Sequence, residues 1–485
     1  LLIKFSNILL YASYVSVIIG TDSLFYNPGF DVKKWGDIKV PGNWELQGFS
    51  KPVYGKKKKE GNGLYRTDFI VPVEWKGNPV YISLGGVQFA YTIWVNGKYV
   101  GEFDSSFNQK IYDLSSFVKP GQLNTLALRV ITTPKGWQFD TNDDWTLSGI
   151  FRDVTLFSLP DTHIKDFVVQ TFVNKENADI DIKTIIERTS SVKFSKKLKL
   201  VGHLFDPLGK LVQEFTVLPA NIRDQKTDML DFTKRLTIDN PCLWSAEYPN
   251  LYKLNLSLID GDRVLQKYTE RIGIRELSWE NGILKLNGSP LKLRGVNHHD
   301  LSPVNGRAIS DVELLEDLIL MQKGNINLVR TAHYPPQPRL LELCDSLGMY
   351  VIDEVPIGYG DELLTDSTYL PILLRRAKAT VDRDKNRPSV IIWSVGNENP
   401  LTDICITTGR YVKRLDKTRP YLFAQTPTVF KNMIKDGIPD SIDMLDYHYP
   451  LSEDIKEYAP IVKHPWIASE YAHSMGLDAG HLEAI

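Results

Sequence analysis

The chain has 485 residues, enough for about three domains of ordinary size. Its 57 basic and 59 acidic side chains nearly balance, which argues against a nucleic-acid-binding protein, since such proteins usually carry a basic excess. Apolar residues make up 42% and charged residues 24%, a globular rather than a disordered composition. The cysteines Cys242, Cys344 and Cys405 lie far apart, which argues against a disulfide framework and a zinc ribbon.

The first twenty residues are mostly apolar, but Lys4, Asn7 and three serines interrupt them. A membrane span needs about 20 mainly apolar residues, and a secretory signal needs a basic start and a small-residue cleavage site. Only Lys4 supplies a basic start, and no Ala-x-Ala follows. A signal segment, a truncated reading frame and a pair of ordinary strands therefore stay open, as do cytoplasmic and periplasmic locations. At the other end, residues 481–485 are typical of a helix that has just begun, which predicts a fragment.

Residues 21–160 and 161–274 show the two-residue period of half-buried strands. In the first stretch Val80–Leu84 alternates, and Asn96 with Gly97 between two strand-like runs is a strong hairpin signal. In the second stretch Ala178–Ile182 alternates in the same way. Several short strands at this spacing predict two β-sandwich domains, one in each stretch.

From residue 275 to residue 485 short apolar runs alternate with helical patterns. The predicted strands are Leu291–Val296, Ile326–Arg330, Met349–Ile352, Val390–Ser394, Pro420–Phe423, Ile442–Leu445 and Pro465–Ala468. A capping box of Ser310 and Glu313 predicts the start of a helix over 311–323, and Gly348 predicts the end of another. This order is typical of a (β/α)8 barrel or a doubly wound sheet. No GxGxxG follows the first strand, which favours a barrel with about seven of its eight strands.

Polar residues gather where these predicted strands end. The clusters are Asn297–Asp300, Arg330–Tyr334, Asp353–Glu354, Gly396–Asn399, Asp446–Tyr449 and Ser469–His473. They contain five of the nine histidines of the chain, more than random placement would give. One histidine at a strand end is more often a structural partner, but six clusters at one edge predict a site, because barrel enzymes place their chemistry there.

Two carboxylates stand out in these clusters, Glu398 after the fourth strand and Glu470 after the seventh. Opposed carboxylates split glycosidic bonds, one as a proton donor and the other as an ionised nucleophile. The alternative is a structural role in ion pairs, for which Arg294 and Arg330 are available. Metal-dependent hydrolysis is a weaker alternative, since His298 and His299 are adjacent and would point to opposite sides of a strand.

The sequence resembles glycoside hydrolase family 2, and within it the β-galactosidase branch, over roughly residues 25–480. The stretches that carry the resemblance are Pro41–Gln47 (PGNWELQ), Asp143–Asp153 (DDWTLSGIFRD), Arg294–His299 (RGVNHH), Val329–Pro335 (VRTAHYP), Arg383–Ser389 (RDKNRPS), Trp393–Glu398 (WSVGNE) and Ser469–Gly476 (SEYAHSMG). The resemblance implies a multidomain chain. Its parts are an all-β jelly-roll sugar-binding domain over 21–160, an immunoglobulin-like β-sandwich over 161–274, and a catalytic (β/α)8 TIM barrel over 275–485 that is incomplete at its C-terminus.

The resemblance also implies roles for single residues and a reaction, the retaining hydrolysis of terminal β-D-galactose from β-galactosides. Glu398 is similar to the family's acid/base and Glu470 to its nucleophile. Six further residues resemble substrate-binding or supporting residues. They are Asp143 for the distal sugar hydroxyls, His299 and His333 for sugar hydroxyls, Arg330 for a charge near the nucleophile, Asn397 for the 2-hydroxyl, and Tyr449 for a hydrogen bond to the nucleophile. A β-glucuronidase or another family 2 glycosidase, and an inactive sugar-binding fragment, are the alternatives.

Cofactors and partners are the last implications of the resemblance. Magnesium and sodium are the family's cofactors, but Gly358 and Gly360 stand where many β-galactosidases carry the acid and the histidine that bind magnesium, so the sequence predicts no metal-binding residue. The glycine-rich stretch Pro356–Gly360 looks more like β-glucuronidases. The expected partner is a β-galactoside. Neither nucleic acid nor a stable membrane partner is expected, and a homo-oligomer is allowed.

Overall fold

The N-terminal sandwich consists of antiparallel sheets in the computed structural model, which describes residues 8–9, 15–19, 23–54, 61–219 and 227–473. One sheet contains Ile8–Leu9, Val154–Ser158, Val80–Leu84 and Lys110–Asp113, and the other contains Gly36–Ile38, Val15–Ile19, Asn62–Ile70, Leu123–Ile131, Ala90–Val95 and Lys98–Phe103. The predicted hairpin is confirmed, since Asn96 and Gly97 join the last two strands with φ angles of 52° and 79°. Short ladders pair Val53–Tyr54 with Trp145–Thr146 and Val87–Gln88 with Gly149–Ile150.

The central sandwich packs a three-stranded sheet on a four-stranded sheet. The strands are Thr162–Val173, Asn177–Arg188 and Met229–Asp239 in the first, and Leu211–Val217, Leu198–Phe205, Tyr252–Asp260 and Arg263–Ile272 in the second. Along Asn177–Arg188 the alternate residues Ala178, Ile180 and Ile182 are buried. The period of two in the sequence thus places one face of the strand in the core.

The barrel contains seven parallel strands among the described residues. They are β1 (Gly295–His298), β2 (Leu328–Thr331), β3 (Tyr350–Val355), β4 (Val390–Asn397), β5 (Tyr421–Ala424), β6 (Leu445–Asp446) and β7 (Trp466–Ile467). The helices between them are α1 (Asp311–Lys323), α2 (Pro338–Leu347), α3 (Leu370–Asp384), α4 (Asp403–Leu415), α5 (Pro427–Asp436) and α6 (Ser452–Tyr458). The first five strands form one sheet, and β6 pairs with β7. The predicted fold class is confirmed.

The helix signals in the sequence are confirmed in the barrel. Ser310 accepts a hydrogen bond from the Glu313 backbone, and the Glu313 side chain accepts one from the Ser310 backbone. Gly348 follows α2 in the left-handed region with a φ of 77°. Single-turn 3₁₀ helices occur at Glu45–Gln47, Val73–Trp75, Trp137–Asp140, Asp361–Leu363 and Ser367–Tyr369.

Two predicted strand positions are wrong by a few residues. The first barrel strand starts at Gly295 rather than Leu291, because the Leu291 backbone donates to Leu284 in a small antiparallel sheet. That sheet consists of Leu277–Glu280, Ile283–Leu286 and Ser289–Pro290. The sixth strand starts at Leu445 rather than Ile442, whose backbone closes a turn by donating to Pro439. Local apolar runs do not show which neighbouring sheet a segment joins.

The first twenty residues are described only at Ile8–Leu9 and Val15–Ile19. Ile8–Leu9 pairs with Val154–Ser158, and Val15–Ile19 pairs with Gly36–Ile38 and Asn62–Ile70. Both are therefore strands of the N-terminal sandwich, and the domain boundary at residue 21 stays a prediction. The rest of the predicted signal segment, and the predicted helix start at 481–485, lie outside the described residues. None of the helices within the described ranges is long and apolar enough to cross a bilayer.

Candidate active site

A cavity of about 470 Å³ lies at the C-terminal ends of the barrel strands. Asn142 and Asp143 line it from the N-terminal sandwich, and barrel residues line the rest. The predicted site residues in the lining are Asp143, His299, His333, Asn397, Glu398, Tyr449 and Glu470. Arg330, the eighth, lies beneath the cavity. Residues from five separate strand ends and a second domain therefore meet at one place.

Glu398 and Glu470 face each other across this cavity. A carboxylate oxygen of each lies within 4.8 Å of one of the other and of a ring nitrogen of His448. The Glu398 side chain is 34% exposed and that of Glu470 is 11% exposed, so Glu398 has the easier access to solvent protons. Glu398 and Tyr449 both adopt positive φ angles, 55° and 52°, which residues other than glycine, asparagine and aspartate seldom adopt.

Glu470 is surrounded by groups that stabilise its ionised form. Arg330 donates to its Oε1 at 2.7 Å, and the Tyr449 hydroxyl donates to its Oε2. His448 Nδ1 lies 3.8 Å from Oε2 and His333 Nε2 lies 4.0 Å from Oε1. Burial by itself would raise the pKa of Glu470, but the charge of Arg330, helped by His448, lowers it to about 2. Glu470 is therefore ionised at neutral pH.

Arg330 on β2 is buried and does not line the cavity. Its Nη1 donates to Glu470, its Nη2 to Asn397 Oδ1 at 2.8 Å, and its Nε to Glu354 Oε2 at 2.9 Å. Glu354 is also buried, and its Oε1 lies 3.0 Å from His333 Nδ1. Arg330 therefore has no direct access to a molecule in the cavity and acts on it through Glu470 and Asn397. Arg294, the other arginine considered as an ion-pair partner, is exposed and donates to the Asn325 carbonyl.

His299 and His333 form one wall of the cavity, with ring centroids 5.6 Å apart and planes at 85°. Behind His299 lies Asp144, whose Oδ2 is 3.6 Å from His299 Nδ1 and which accepts two hydrogen bonds from Arg307. Burial lowers the pKa of His299 to about 4 despite the opposing charge of Asp144. His299 is thus a neutral ring at physiological pH, suited to hydrogen bonds with hydroxyl groups.

Asp143 lies at the rim on the loop from the N-terminal sandwich. The Tyr54 hydroxyl donates to its backbone carbonyl at 2.8 Å, and the Tyr359 side chain hydrogen-bonds its carboxylate. Burial and then the Asp143 charge raise the pKa of Tyr359 above its usual range. Tyr359 and Asp144 were not predicted from the sequence. Asp144 stands within a stretch that carried the resemblance to the family, and Tyr359 lies within the glycine-rich stretch Pro356–Gly360.

The donor set for magnesium beside the acid/base does not fit this site. A Cβ at Gly358 would lie 2.2 Å from the Thr141 carbonyl oxygen, so the N-terminal sandwich fills the space of a side chain there. The Gly358 backbone instead donates to Phe139 at 2.9 Å. The glycines at 358 and 360 therefore offer magnesium no side-chain ligand. Sodium stays a prediction from the resemblance.

His448 lies in the predicted polar cluster Asp446–Tyr449, but the sequence did not mark it as a site residue. It is fully buried at the end of β6 and contacts Glu398 through Nδ1 at 2.9 Å. By distance alone Glu398, His448 and Glu470 could hold a metal ion. Burial opposes a charge on His448, but Asp446 and then Glu398 and Glu470 raise its pKa to about 9. Because a metal needs a deprotonated ring nitrogen, protonated His448 favours its carboxylate contacts over a metal.

Three family descriptions match the chain in order. They are the sugar binding domain of glycosyl hydrolases family 2 over residues 29–160, glycosyl hydrolases family 2 over 162–275, and its TIM barrel domain over 277–485. The chain is 34% identical to a β-galactosidase of Halalkalibacterium halodurans over 94% of its own length and 46% of that protein. A β-galactosidase of Psychromonas ingrahamii is also 34% identical, over 94% of this chain and 47% of that protein.

The chain belongs to glycosyl hydrolase family 2. It spans about half the length of these curated family 2 relatives. Among solved structures, a Bacteroides uniformis β-glucuronidase superposes with a TM-score of 0.85 and 23% identity over 97% of this chain and 60% of that chain. At that identity the likeness bears on the fold alone. The family membership and the three-part fold agree with what the sequence stretches implied.

Proposed function

We propose that this chain carries the active site of a retaining exo-β-galactosidase, with Glu470 as the nucleophile and Glu398 as the acid/base. The observation that carries the proposal is the separation of the two carboxylates, whose oxygens approach within 4.8 Å. Retaining glycosidases hold their carboxyl groups about 5–5.5 Å apart, whereas inverting enzymes need roughly 6.5–9.5 Å to admit a water. The short separation therefore supports a covalent intermediate.

In the first step Glu470 attacks the anomeric carbon while Glu398 gives its proton to the leaving oxygen. The bond from carbon to the leaving oxygen breaks, and a bond to a Glu470 oxygen forms. Arg330 keeps Glu470 ionised for this attack, because its charge lowers the pKa of Glu470 to about 2. The Tyr449 hydroxyl donates to Oε2 of Glu470. This hydrogen bond fixes the plane of the carboxylate and with it the direction of Oε1.

In the second step Glu398, now ionised, takes a proton from a water that attacks the anomeric carbon. The bond to Glu470 breaks and its carboxylate returns to Arg330. The same residue thus serves as acid and then as base, as microscopic reversibility requires. The 34% exposure of the Glu398 side chain supports this role, because a proton must enter and leave between turnovers.

Asn397 and the histidines would hold the sugar. Because Asn397 Oδ1 accepts from Arg330, its NH₂ group is free to donate to the sugar 2-hydroxyl. A hydrogen bond there strengthens as positive charge develops on the ring. His299 and His333 offer ring nitrogens to further hydroxyls, and Asp143 accepts from those farthest from the anomeric carbon.

A galactoside is favoured over a glucuronide. Both curated relatives above are named β-galactosidases. Asp143 lines the part of the cavity proposed for the hydroxyls farthest from the anomeric carbon, and its carboxylate would repel a substrate carboxylate there at short range. A β-glucuronidase is the second candidate, and the glycine-rich exit of β3 at Pro356–Gly360 is the feature in its favour. An inactive sugar-binding fragment is the third.

Hydrolysis of p-nitrophenyl β-galactoside and β-glucuronide by the protein with its natural termini tests these candidates. We expect release from the galactoside with retained configuration, seen by NMR as initial β-galactose. Glu470→Gln should lower kcat on the order of 10⁴-fold or more while sugar binding survives, and Glu398→Gln about 10²–10⁴-fold. Glu316→Gln on the exposed face of α1 is the control and should act like the parent protein. Turnover of the glucuronide alone would reject the galactosidase proposal.

A further inference from the structure

His448 connects the two glutamates to a buried polar pair behind them. On the cavity side its Nδ1 lies 2.9 Å from Glu398 Oε1 and 3.8 Å from Glu470 Oε2. On the far side its Nε2 lies 3.1 Å from Ser469 Oγ and 3.2 Å from Asp446 Oδ2. His448 and Asp446 are both fully buried. The function proposed above gives His448 no role. A role for His448 rests on that proposed function and deepens it.

The far side determines which ring nitrogen of His448 carries a proton. The Ser469 backbone donates to Asp446 Oδ1 at 2.9 Å, and its hydroxyl donates to Oδ2 at 2.5 Å. The Ser469 oxygen is therefore left as an acceptor, and the Asp446 carboxylate is an acceptor only. Both groups require a proton on His448 Nε2. Nδ1 is then either an acceptor from a protonated Glu398 or, in the imidazolium, a donor to it.

The charges around His448 favour the imidazolium. Asp446 faces it from β6, Glu398 from the end of β4 and Glu470 from the end of β7, while the Tyr449 ring lies 5.6 Å away. Arg330 is the nearest opposing cation and acts beyond Glu470. Three carboxylates around one buried ring outweigh the cost of desolvating its charge. At neutral pH His448 therefore donates through both nitrogens.

We propose that His448 is a positioning residue that holds the Glu398 carboxyl by Oε1, so that Oε2 is the oxygen that exchanges the catalytic proton. Glu398 follows β4 with a φ of 55°, and a second contact is needed to hold its side chain, because the carboxyl projects into an open cavity. Between the steps Glu470 is esterified to the sugar, and the imidazolium stabilises the negative charge on Glu398. His448 thus supports the change of Glu398 from acid to base.

Two variants separate the two sides of the ring. In His448→Asn the amide nitrogen takes roughly the place of Nδ1, which keeps the contact to Glu398 and loses the contact to Asp446. In His448→Gln the amide reaches roughly the place of Nε2, which keeps Asp446 and loses Glu398. Both remove the charge. The pair therefore controls for the loss of charge and of the ring at one position.

The first readout is how kcat/KM depends on the leaving group. An alkyl β-galactoside needs the proton of Glu398 to react, whereas a 2,4-dinitrophenyl β-galactoside barely needs it. For His448→Gln we expect kcat/KM to fall about 10–100-fold for the alkyl substrate and less than about 3-fold for the dinitrophenyl substrate. His448→Asn should retain the leaving-group dependence of the parent protein. In both variants the alkaline limb of the pH profile should move to higher pH, because a cation beside the acid is lost. Equal losses on both substrates in His448→Gln would overturn the proposal.

The second readout does not require activity. In ¹⁵N-histidine NMR spectra we expect His448 to carry a proton on Nε2 at all pH values and to titrate well above the usual histidine range. Glu398→Gln should lower its apparent pKa by removing the charge that Nδ1 faces. Titration near 6.5 with no response to Glu398→Gln overturns the contact even in an active enzyme. The expected coupling in a protein that hydrolyses neither glycoside would instead reject the proposed function and leave the contact standing.

Discussion

At the scale of single residues, one arginine distinguishes the two glutamates of the cavity. Arg330 is 2% exposed and donates to Glu470, Asn397 and Glu354. The Coulomb attraction between Arg330 and Glu470 acts in a site with little water, where charges interact more strongly than at the surface. Glu398 has no arginine contact among the described residues, and the cation beside it is His448 at 2.9 Å. The charge of Arg330 therefore keeps Glu470 ionised, as its proposed role of nucleophile requires.

Arg330→Met should reduce kcat/KM for the β-galactoside about 10²–10³-fold, because it removes the preorganised charge and hydrogen bonds that hold Glu470 and Asn397. The ionised form of Glu470 is the reactive one, and it persists above its pKa of about 2 and is lost as the pH falls through that value. Without Arg330 that pKa rises, so the acid limb of the kcat/KM profile should move to higher pH. Steady-state kinetics from pH 3 to 9 measure both effects.

Arg294→Met is the matched control for this change. Arg294 precedes β1 at the opposite end of the strands, is exposed, and donates to the Asn325 carbonyl. Its loss should change kcat/KM less than about 2-fold, as for most surface substitutions. An unchanged acid limb in Arg330→Met, with the fold intact by circular dichroism, would contradict the assignment of Arg330 to Glu470.

At the scale of secondary-structure elements, similar helix-end signals have unequal structural roles. Gly324 follows α1 with an ordinary φ of −82°, whereas Gly348 follows α2 with a φ of 77°. A Cβ at Gly324 would meet the Met321 carbonyl at 3.3 Å, and a Cβ at Gly348 would meet the Ala246 carbonyl at 2.0 Å. Ala246 lies on the loop between two strands of the central sandwich, Met229–Asp239 and Tyr252–Asp260, so α2 ends against another domain.

Gly348→Ala should therefore destabilise the protein far more than Gly324→Ala. A left-handed conformation costs an alanine about 1 kcal/mol, and the collision with Ala246 adds a cost of about 1–3 kcal/mol. At residue 324 the φ angle suits alanine, and Gly324→Ala lowers the conformational entropy of the unfolded chain. It should therefore change stability by less than about 1 kcal/mol. Chemical denaturation monitored by tryptophan fluorescence compares the two. Equal midpoints would contradict the close approach of α2 to Ala246.

At the scale of the whole molecule, buried ion pairs connect the N-terminal sandwich to the barrel. They are Arg152 with Asp300, Arg307 with Asp144, and Arg376 with Asp140. Asp140 and Asp144 flank Asp143, which lines the cavity. Charges that are removed from water need partners, and the two domains have few other relative positions in which all of these charges are paired. The N-terminal sandwich thus holds Asp143 at a fixed position in the cavity wall.

Arg376→Met should cost about 3–5 kcal/mol of stability and raise KM for the galactoside more than it lowers kcat. It leaves buried Asp140 without its main partner and loosens the loop that presents Asp143. The neighbouring pair of Arg375 and Asp104 is the control, since it joins the same two domains but its side chains are 50% and 31% exposed. Arg375→Met should cost less than about 1 kcal/mol. Equal effects of the two variants on melting temperature and KM would refute this role of the buried pair.

Much of the site could be predicted because barrel strands are short and their ends meet. Glu398, Asn397 and Glu470 each follow an apolar run, and the rule that such ends converge needs no knowledge of register. The predicted proximity of the two glutamates agrees with the structure, in which an oxygen of each lies within 4.8 Å of one of the other. Their catalytic roles stay predictions. His448 was not singled out, because the sequence does not reveal that Nδ1 lies 2.9 Å from Glu398.

The sequence by itself determined the two sandwiches, the βα alternation and the row of polar strand ends, because each depends on local periodicity and on signals such as Asn96-Gly97 or Ser310. Only the tertiary structure decided which charges pair. Arg330 and Glu470 are 140 residues apart in the chain, and their contact depends on strand register and on how far the sheet curls. The same holds for Gly358, whose missing side chain is explained by a loop from another domain. Pairing between distant segments arises from packing, and local patterns carry no record of it.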